Sequence, residues 1–233
     1  MKKLILSGAM ILFATITFAQ NTMTGSDARI GIKAGVNLAR IHYSGDNVSN
    51  LNEYTKNNLG YNFTVFGDFG VGNNFFIQPG ISLQNKGTKL EGTFDLGSNT
   101  VTGTSTVNVM AIEVPINAVY RIPTGNEGAI HISAGPYIGF NISGKSKVKV
   151  ASGPGSELGT QKSDLEFGSK TDDDLSSIDF GANFGLAYRL KNGLLIGGNY
   201  GLGLSNLIPK DSQANNNNKA TNRVLGFTLG YSF

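Results

Sequence analysis

Six titratable side chains sit inside otherwise apolar-patterned segments and share one parity: Lys33, Asp68, Glu113, Arg121, His131 and Arg189. Both signs of charge are present. On a common enclosed face they would form an ion-pair and hydrogen-bond network, because an unpaired charge away from water is costly. The other arrangement such a set can make is a narrow polar path. Hydrolytic chemistry has thinner support. The chain has two histidines, and His42 has Ser44 and Asp46 nearby, but a triad is defined by three-dimensional geometry rather than by such spacing. His131 reads as a polar residue of the enclosed face and His42 as a solvated loop residue. No catalytic residue is assigned.

Metal and cofactor chemistry find no ligand set. There is no cysteine, which removes thiolate metal sites and thiol nucleophiles. The run Asp172-Asp173-Asp174 lacks the spaced oxygen ligands and the glycine of an EF-hand loop, so it reads as a solvated acidic loop. The glycines of "GNNFFIQPG" and "GLGLSNL" belong to turns and packing and do not make a phosphate-binding loop. No metal and no cofactor is therefore expected.

The elements that carry these residues begin after a leader. "MKKLILSGAMILFATITFAQ" has two lysines, an apolar run from Leu4 to Phe18 and the small residue Ala19, the layout of a secretory signal peptide. Residues 1–19 are expected to be removed, leaving 20–233 as one domain. Loss of Lys2 and Lys3 takes the formal charge from +3 to +1. No strong field then points to nucleic acid or to an acidic partner.

The rest alternates with period two. Ile30, Ile32, Ala34, Val36 and Leu38 oppose Gly31, Lys33, Gly35 and Asn37. Leu59, Tyr61, Phe63 and Val65 oppose Asn62, Thr64, Phe66 and Asp68. Similar segments follow near 75–84, 110–122, 129–142, 178–190, 194–205 and 223–233, which makes eight strands. The non-apolar face is rich in Gly, Asn, Ser and Thr, and only 15% of residues are charged. A soluble barrel would put charge outside, whereas a membrane barrel puts apolar residues on lipid and small or polar ones in the lumen. Connections alternate strictly between long (40–58, 85–106, 143–177, 206–221) and short (72–74, 123–128, 191–193). The expected fold is all-β: an eight-stranded antiparallel up-and-down transmembrane β-barrel, with short periplasmic turns and long extracellular loops.

The final segment, "RVLGFTLGYSF", is expected to close the barrel against the first, since lipid tolerates no unpaired strand edge. Tyr231 and Phe233 would lie in the periplasmic aromatic girdle. Leu229, Tyr231 and Phe233 also resemble the C-terminal signal read by the bacterial barrel-insertion machinery.

"GIKAGVNLA", "FFIQPGISLQNKG", "IEVPINAVYR", "SAGPYIGF", "FGANFGLAY" and the terminal "LGYSF" resemble, in order, the PorT-like outer-membrane β-barrel domain family of Bacteroidetes. The resemblance spans nearly the whole mature chain. It implies an eight-stranded outer-membrane barrel, and it suggests a secretion-accessory role because PorT itself is linked to a secretion system.

Eight strands leave room only for side chains to fill the interior. A plug is the expected state, with the inward glycines as the feature that would favour an open path. Alternation continues through "GTKLEGTFDLGSNTVTGTSTVNV", so a hairpin should rise beyond the membrane, with a bulge near Lys86-Gly87 where the apolar parity shifts. Lys145, Lys147 and Lys149 should extend the next strand and face Asp164, Glu166 or residues 172–174. The expected function is structural or interactive, non-enzymatic, in outer-membrane lipid, with an extracellular or envelope protein partner bound by strand addition. A small channel is the alternative.

Overall fold

The computed structural model describes residues 28–46, 48–96, 99–152, 156–213 and 217–233; the expected signal peptide lies outside them. Ten strands form: β1 Arg29–Ser44, β2 Thr55–Lys56, β3 Asn58–Gly72, β4 Phe75–Leu96, β5 Asn99–Pro123, β6 Gly128–Ala151, β7 Glu157–Asp164, β8 Ile178–Leu190, β9 Leu194–Gly203 and β10 Lys219–Ser232. Eight of them make a ring in the order β4–β3–β1–β10–β9–β8–β6–β5, closed by β4–β5 pairing. All neighbours are antiparallel. The first and last strands close on each other from Gly31↔Ser232 to Ser44↔Lys219. Phe233 N–H donates to the Ile30 carbonyl at 2.8 Å, so pairing runs to the end of the chain.

The apolar residues of each strand point away from the ring axis. Val36, Tyr61, Phe63, Ile116, Phe180, Leu186, Phe227 and Leu229 are all between 45% and 61% exposed. A continuous band of this kind would drive association in water and is at rest only against lipid. Aromatic pairs sit at the end of the ring that carries the short turns. Tyr231 and Phe233 meet edge to face at 5.1 Å between ring centroids, and Phe75 and Tyr120 at 4.7 Å.

The loop end is more ordered than loops of these lengths suggest. β4 and β5 pair without interruption from Ser82↔Glu113 to Leu96↔Asn99, well past the ~9–11 residues needed to cross a bilayer. β6 extends beside them, and β7 returns along β6. A one-turn helix, α1 (Leu51–Tyr54), leads into β2, which pairs with β4 on its other edge. Against β5, β4 carries no bulge near Lys86-Gly87, because that register holds straight through it, whereas on its other edge the pairing slips by one residue between Asn62↔Gln84 and Lys56↔Lys89, with the extra residue on the β2–β3 side. Leu90 takes the same inward side as Lys86 and Thr88, since beyond the lipid band apolar parity no longer marks the outside. A further irregularity lies between β5 and β6, where Met110↔Ser143 is followed by Ala111↔Asn141 and Ile142 is the extra residue.

Candidate functional site

The interior is built from side chains of the polar parity, in levels along the barrel axis. Near the short turns, Asp68 is fully buried and accepts hydrogen bonds from Arg121 and, at 2.8 Å, from Gln78 Nε2. Gln78 Oε1 accepts from Lys33 Nζ at 2.8 Å. Four strands are thereby tied: β1, β3, β4 and β5. His131 is buried opposite Arg121, and neither His131 Nε2 nor Arg189 Nε has a hydrogen-bond partner among the described residues.

Above this lies a cavity of about 100 Å³ bordered by Thr64, Asn117, Ser133 and Asn199. A ladder of neutral groups runs along its wall. Asn62 Nδ2 donates to Asn37 Oδ1 at 2.7 Å, Asn37 Nδ2 to Gln84 Oε1 at 2.9 Å, and Gln84 Nε2 to Ser82 Oγ at 2.8 Å.

The next level centres on Lys86 and Asp179, at 3% and 0% exposure. Lys86 Nζ reaches Glu113 Oε1 at 2.5 Å and Asp179 Oδ2 at 2.8 Å. Asp179 also accepts from Ser205 Oγ at 2.6 Å, Asn222 Nδ2 at 2.7 Å and Tyr137 O–H at 3.2 Å. These partners come from β4, β6, β10 and the segment after β9. In the ring β4 and β10 are three neighbours apart, so the cluster crosses the lumen rather than lining one wall. Higher still, Ile41, Leu207 and Ala220 form a buried apolar cluster, with Tyr43, Leu175 and Ile208 packed on it. The segment that follows β9 thus folds inward over the opening.

Three cations lie over three inward aromatic rings: Lys33 over Phe66 at 4.3 Å, Lys86 over Tyr137 at 5.4 Å and Arg121 over Phe76 at 3.4 Å. Such pairs hold charge well in a partly dry space. The rings need room, and inward glycines supply it. A side chain at Gly31 would strike the Phe66 ring, and one at Gly181 the Tyr137 ring. Two of the inward glycines, Gly31 and Gly181, therefore give room to inward aromatic rings.

All six residues singled out in the sequence face the interior, in two groups. Lys33, Asp68, Arg121, His131 and Arg189 lie toward the turn end, and Glu113 joins Lys86. Lys86, expected at a bulge, joins the interior instead, together with Asp179 and Gln78, which lie outside the expected set. The available signal was parity, since Lys86 continues the series Ser82, Gln84 and Thr88. Outside the barrel, Lys145 stands opposite Asp164 and Lys149 pairs with Glu157 at 3.0 Å. Asp173 and Asp174 accept backbone N–H groups of Lys170 and Glu166. His42 is exposed near the loop end of β1, far from His131 near the turn end of β6.

A sequence model of the family described as outer membrane protein beta-barrel domain matches residues 18–209. No curated protein matches the chain. Among solved structures, Ail, the attachment invasion locus protein of Yersinia pestis, is 13% identical, with 89% of this chain and 99% of that one covered at a TM-score of 0.38. Neisserial surface protein A is 12% identical over 88% and 97%, with a TM-score of 0.37. A major outer membrane protein from Thermus thermophilus is 13% identical over 88% and 99%, with a TM-score of 0.39. At these scores nothing about this chain's activity follows from the likeness.

Proposed function

The chain belongs to the outer-membrane protein β-barrel domain family, and from that premise we propose that it is a closed, non-enzymatic barrel that displays an extracellular sheet for interaction. In this family's setting the short turns face the periplasm and the long connections face out. The observation that carries the reading is the Asp179 cluster. One carboxylate gathers Lys86, Tyr137, Ser205 and Asn222 from around the ring, which supports a lumen filled by side chains at that level. What remains available to the outside is the sheet formed by the ends of β4, β5 and β6 with β7. Every residue of β7 is exposed, and among the described residues it pairs only with β6. An edge of this kind accepts a further strand from a partner.

Within the family, the resemblance of the ordered motifs to PorT-like members of Bacteroidetes supports a secretion-accessory role as a finer reading. Leu229, Tyr231 and Phe233 serve as the signal to the insertion machinery.

The test is single-channel recording of the refolded mature protein in a planar bilayer, with insertion verified by heat-modifiable migration. The expected record is silent. Reproducible conductance steps would overturn the plug and put a narrow channel, centred on the 100 Å³ interior cavity, in its place.

A further inference from the structure

The outward face of the barrel carries a second pattern, just beyond the lipid band. Along β6 the outward series runs Phe140, Ile142 and then, past the bulge, Lys145, Lys147 and Lys149. The cross-strand register places Lys56 opposite Lys89, and Lys147 opposite Lys162. Thr106 links the two pairs, because it stands opposite both Lys89 and Lys147. One row across β2, β4, β5, β6 and β7 therefore reads Lys56, Lys89, Thr106, Lys147, Lys162, all on the outer side.

On the opposite wall of the ring the same thing happens once more. Along β1, Val36 and Leu38 are followed by Arg40, which stands directly opposite Arg223 of β10. Arg40 is exposed, and Arg223 donates to the backbone carbonyls of Gly203 and Asn222.

Like charges directly opposite on a sheet destabilise it. Here three such pairs recur, all outward, and each has at least one member on a strand that has just left the lipid band. Two of the lysines are neutralised locally, Lys89 by Glu91 at 2.6 Å and Lys149 by Glu157 at 3.0 Å, and Asp164 stands opposite Lys145. Lys56, Lys147, Lys162, Arg40 and Arg223 form no ion pair with a carboxylate among the described residues. Repeat distances of ~6.7 Å along a strand and ~4.8 Å between strands make this a lattice of cations. Their flexible stems can lie along apolar surface while the charged ends reach outward.

We propose that these two outward basic patches, on opposite walls of the barrel, bind the phosphate groups of the outer-leaflet glycolipid surrounding it, so that the extended sheet stands against lipid headgroups with its β7 edge left free. The occupant follows from continuity, since Arg40, Lys89, Lys147 and Arg223 lie on the same side of the same strands as the lipid-facing residues, and Lys56 and Lys162 stand opposite two of them. It also follows from charge, since phosphate relieves the two like-charged pairs that have no carboxylate partner among the described residues, Lys147 with Lys162 and Arg40 with Arg223. The proposal rests on the loop end facing outward, and it is independent of whether the lumen conducts or β7 meets a partner.

The test is native mass spectrometry of the refolded mature protein in detergent, titrated with lipid A and with the same lipid after phosphate removal. The compared proteins are the wild type and the variant K147Q/K162Q/R40Q/R223Q. These side chains lie outside the barrel interior, and heat-modifiable migration shows that the variant is folded. The expected result is a preference for the phosphorylated lipid that falls by at least about 100-fold in the variant. Equal binding of both lipids, or a preference unchanged in the variant, would overturn the proposal. A third titration uses inorganic phosphate as competitor. Displacement of lipid A at equimolar phosphate would identify a free-anion site and overturn the lipid assignment. Retention of lipid A supports it.

Discussion

Lys86 Nζ lies 2.8 Å from Asp179 Oδ2, across a separation of 93 residues and from one side of the barrel toward the other. This bond and the 2.5 Å contact with Glu113 hold one cation between two carboxylates in a space closed to water. Replacing Lys86 with Met removes the cation and leaves both carboxylates buried together. The expected loss is about 3–5 kcal/mol in urea unfolding of the refolded barrel, followed by circular dichroism because the chain has no tryptophan. Adding Glu113→Gln and Asp179→Asn to K86M should restore part of the loss. A K86M barrel of wild-type stability would show that the cluster is not what closes the lumen.

A second expectation concerns Gly31. A Leu there meets the Phe66 ring and the Tyr231 carbonyl. Overpacking of this kind costs about 1–3 kcal/mol. Truncation of the ring in G31L/F66A should recover the side-chain share and leave the backbone share, so recovery is partial. Thermal unfolding of the two variants beside wild type measures it. If G31L alone unfolds like wild type, the interior is looser than the ring contact requires.

Phe233 offers a separation of assembly from stability. Its backbone N–H pairs with Ile30 whatever the side chain, and its ring meets only Tyr231 among the described aromatic pairs. F233A is therefore expected to refold in detergent with a stability within about 1 kcal/mol of wild type, since edge-to-face ring pairs are worth about that much. In cells the same variant should show a several-fold lower yield in the outer-membrane fraction. Unchanged yield would remove the assembly role from this residue.

Glu91 reports on the basic face. A hydrogen bond from Lys89, and then the charges of Lys89 and Lys56, hold its carboxyl below the ordinary carboxylate range. In the wild type Glu91 stays ionised as the pH falls through that ordinary range and protonates only below it. In K89Q it should titrate higher, closer to the ordinary value. Carbon-detected NMR of carboxyl-labelled protein measures both. A titration unaffected by K89Q would place the lysine field elsewhere.

The lipid face was readable strand by strand. Ile30 to Leu38, Leu59 to Phe63 and Leu225 to Phe233 alternate so regularly that period two alone separates outside from inside. The short turns were equally readable, with Gly72, Gly125 and Gly193 at positive φ. Lys86 was harder. It stands where β4 leaves the apolar band, so the periodicity that names a residue's side is weakest there, and Leu90 beyond it imitates a lipid-facing residue while pointing in. The loop end was legible only in part. Extension of β4 and β5 follows from continued alternation, whereas the inward fold of Leu207 onto Ile41 and Ala220 rests on contacts between distant segments.

By itself the sequence determined the eight strands of the ring, the two faces, the alternation of long and short connections and part of the set of enclosed charges. Those are local properties of period and composition. Which charge meets which was decided only by the tertiary structure, because partners such as Lys86 and Asp179 are chosen by the stagger of strands closing into a ring. That stagger also sets Arg40 beside Arg223 on the outside, and the β6–β7 hairpin register sets Lys147 beside Lys162. Spacing along one strand says nothing of the residue opposite, and it is the residue opposite that makes a charge a plug or a docking face.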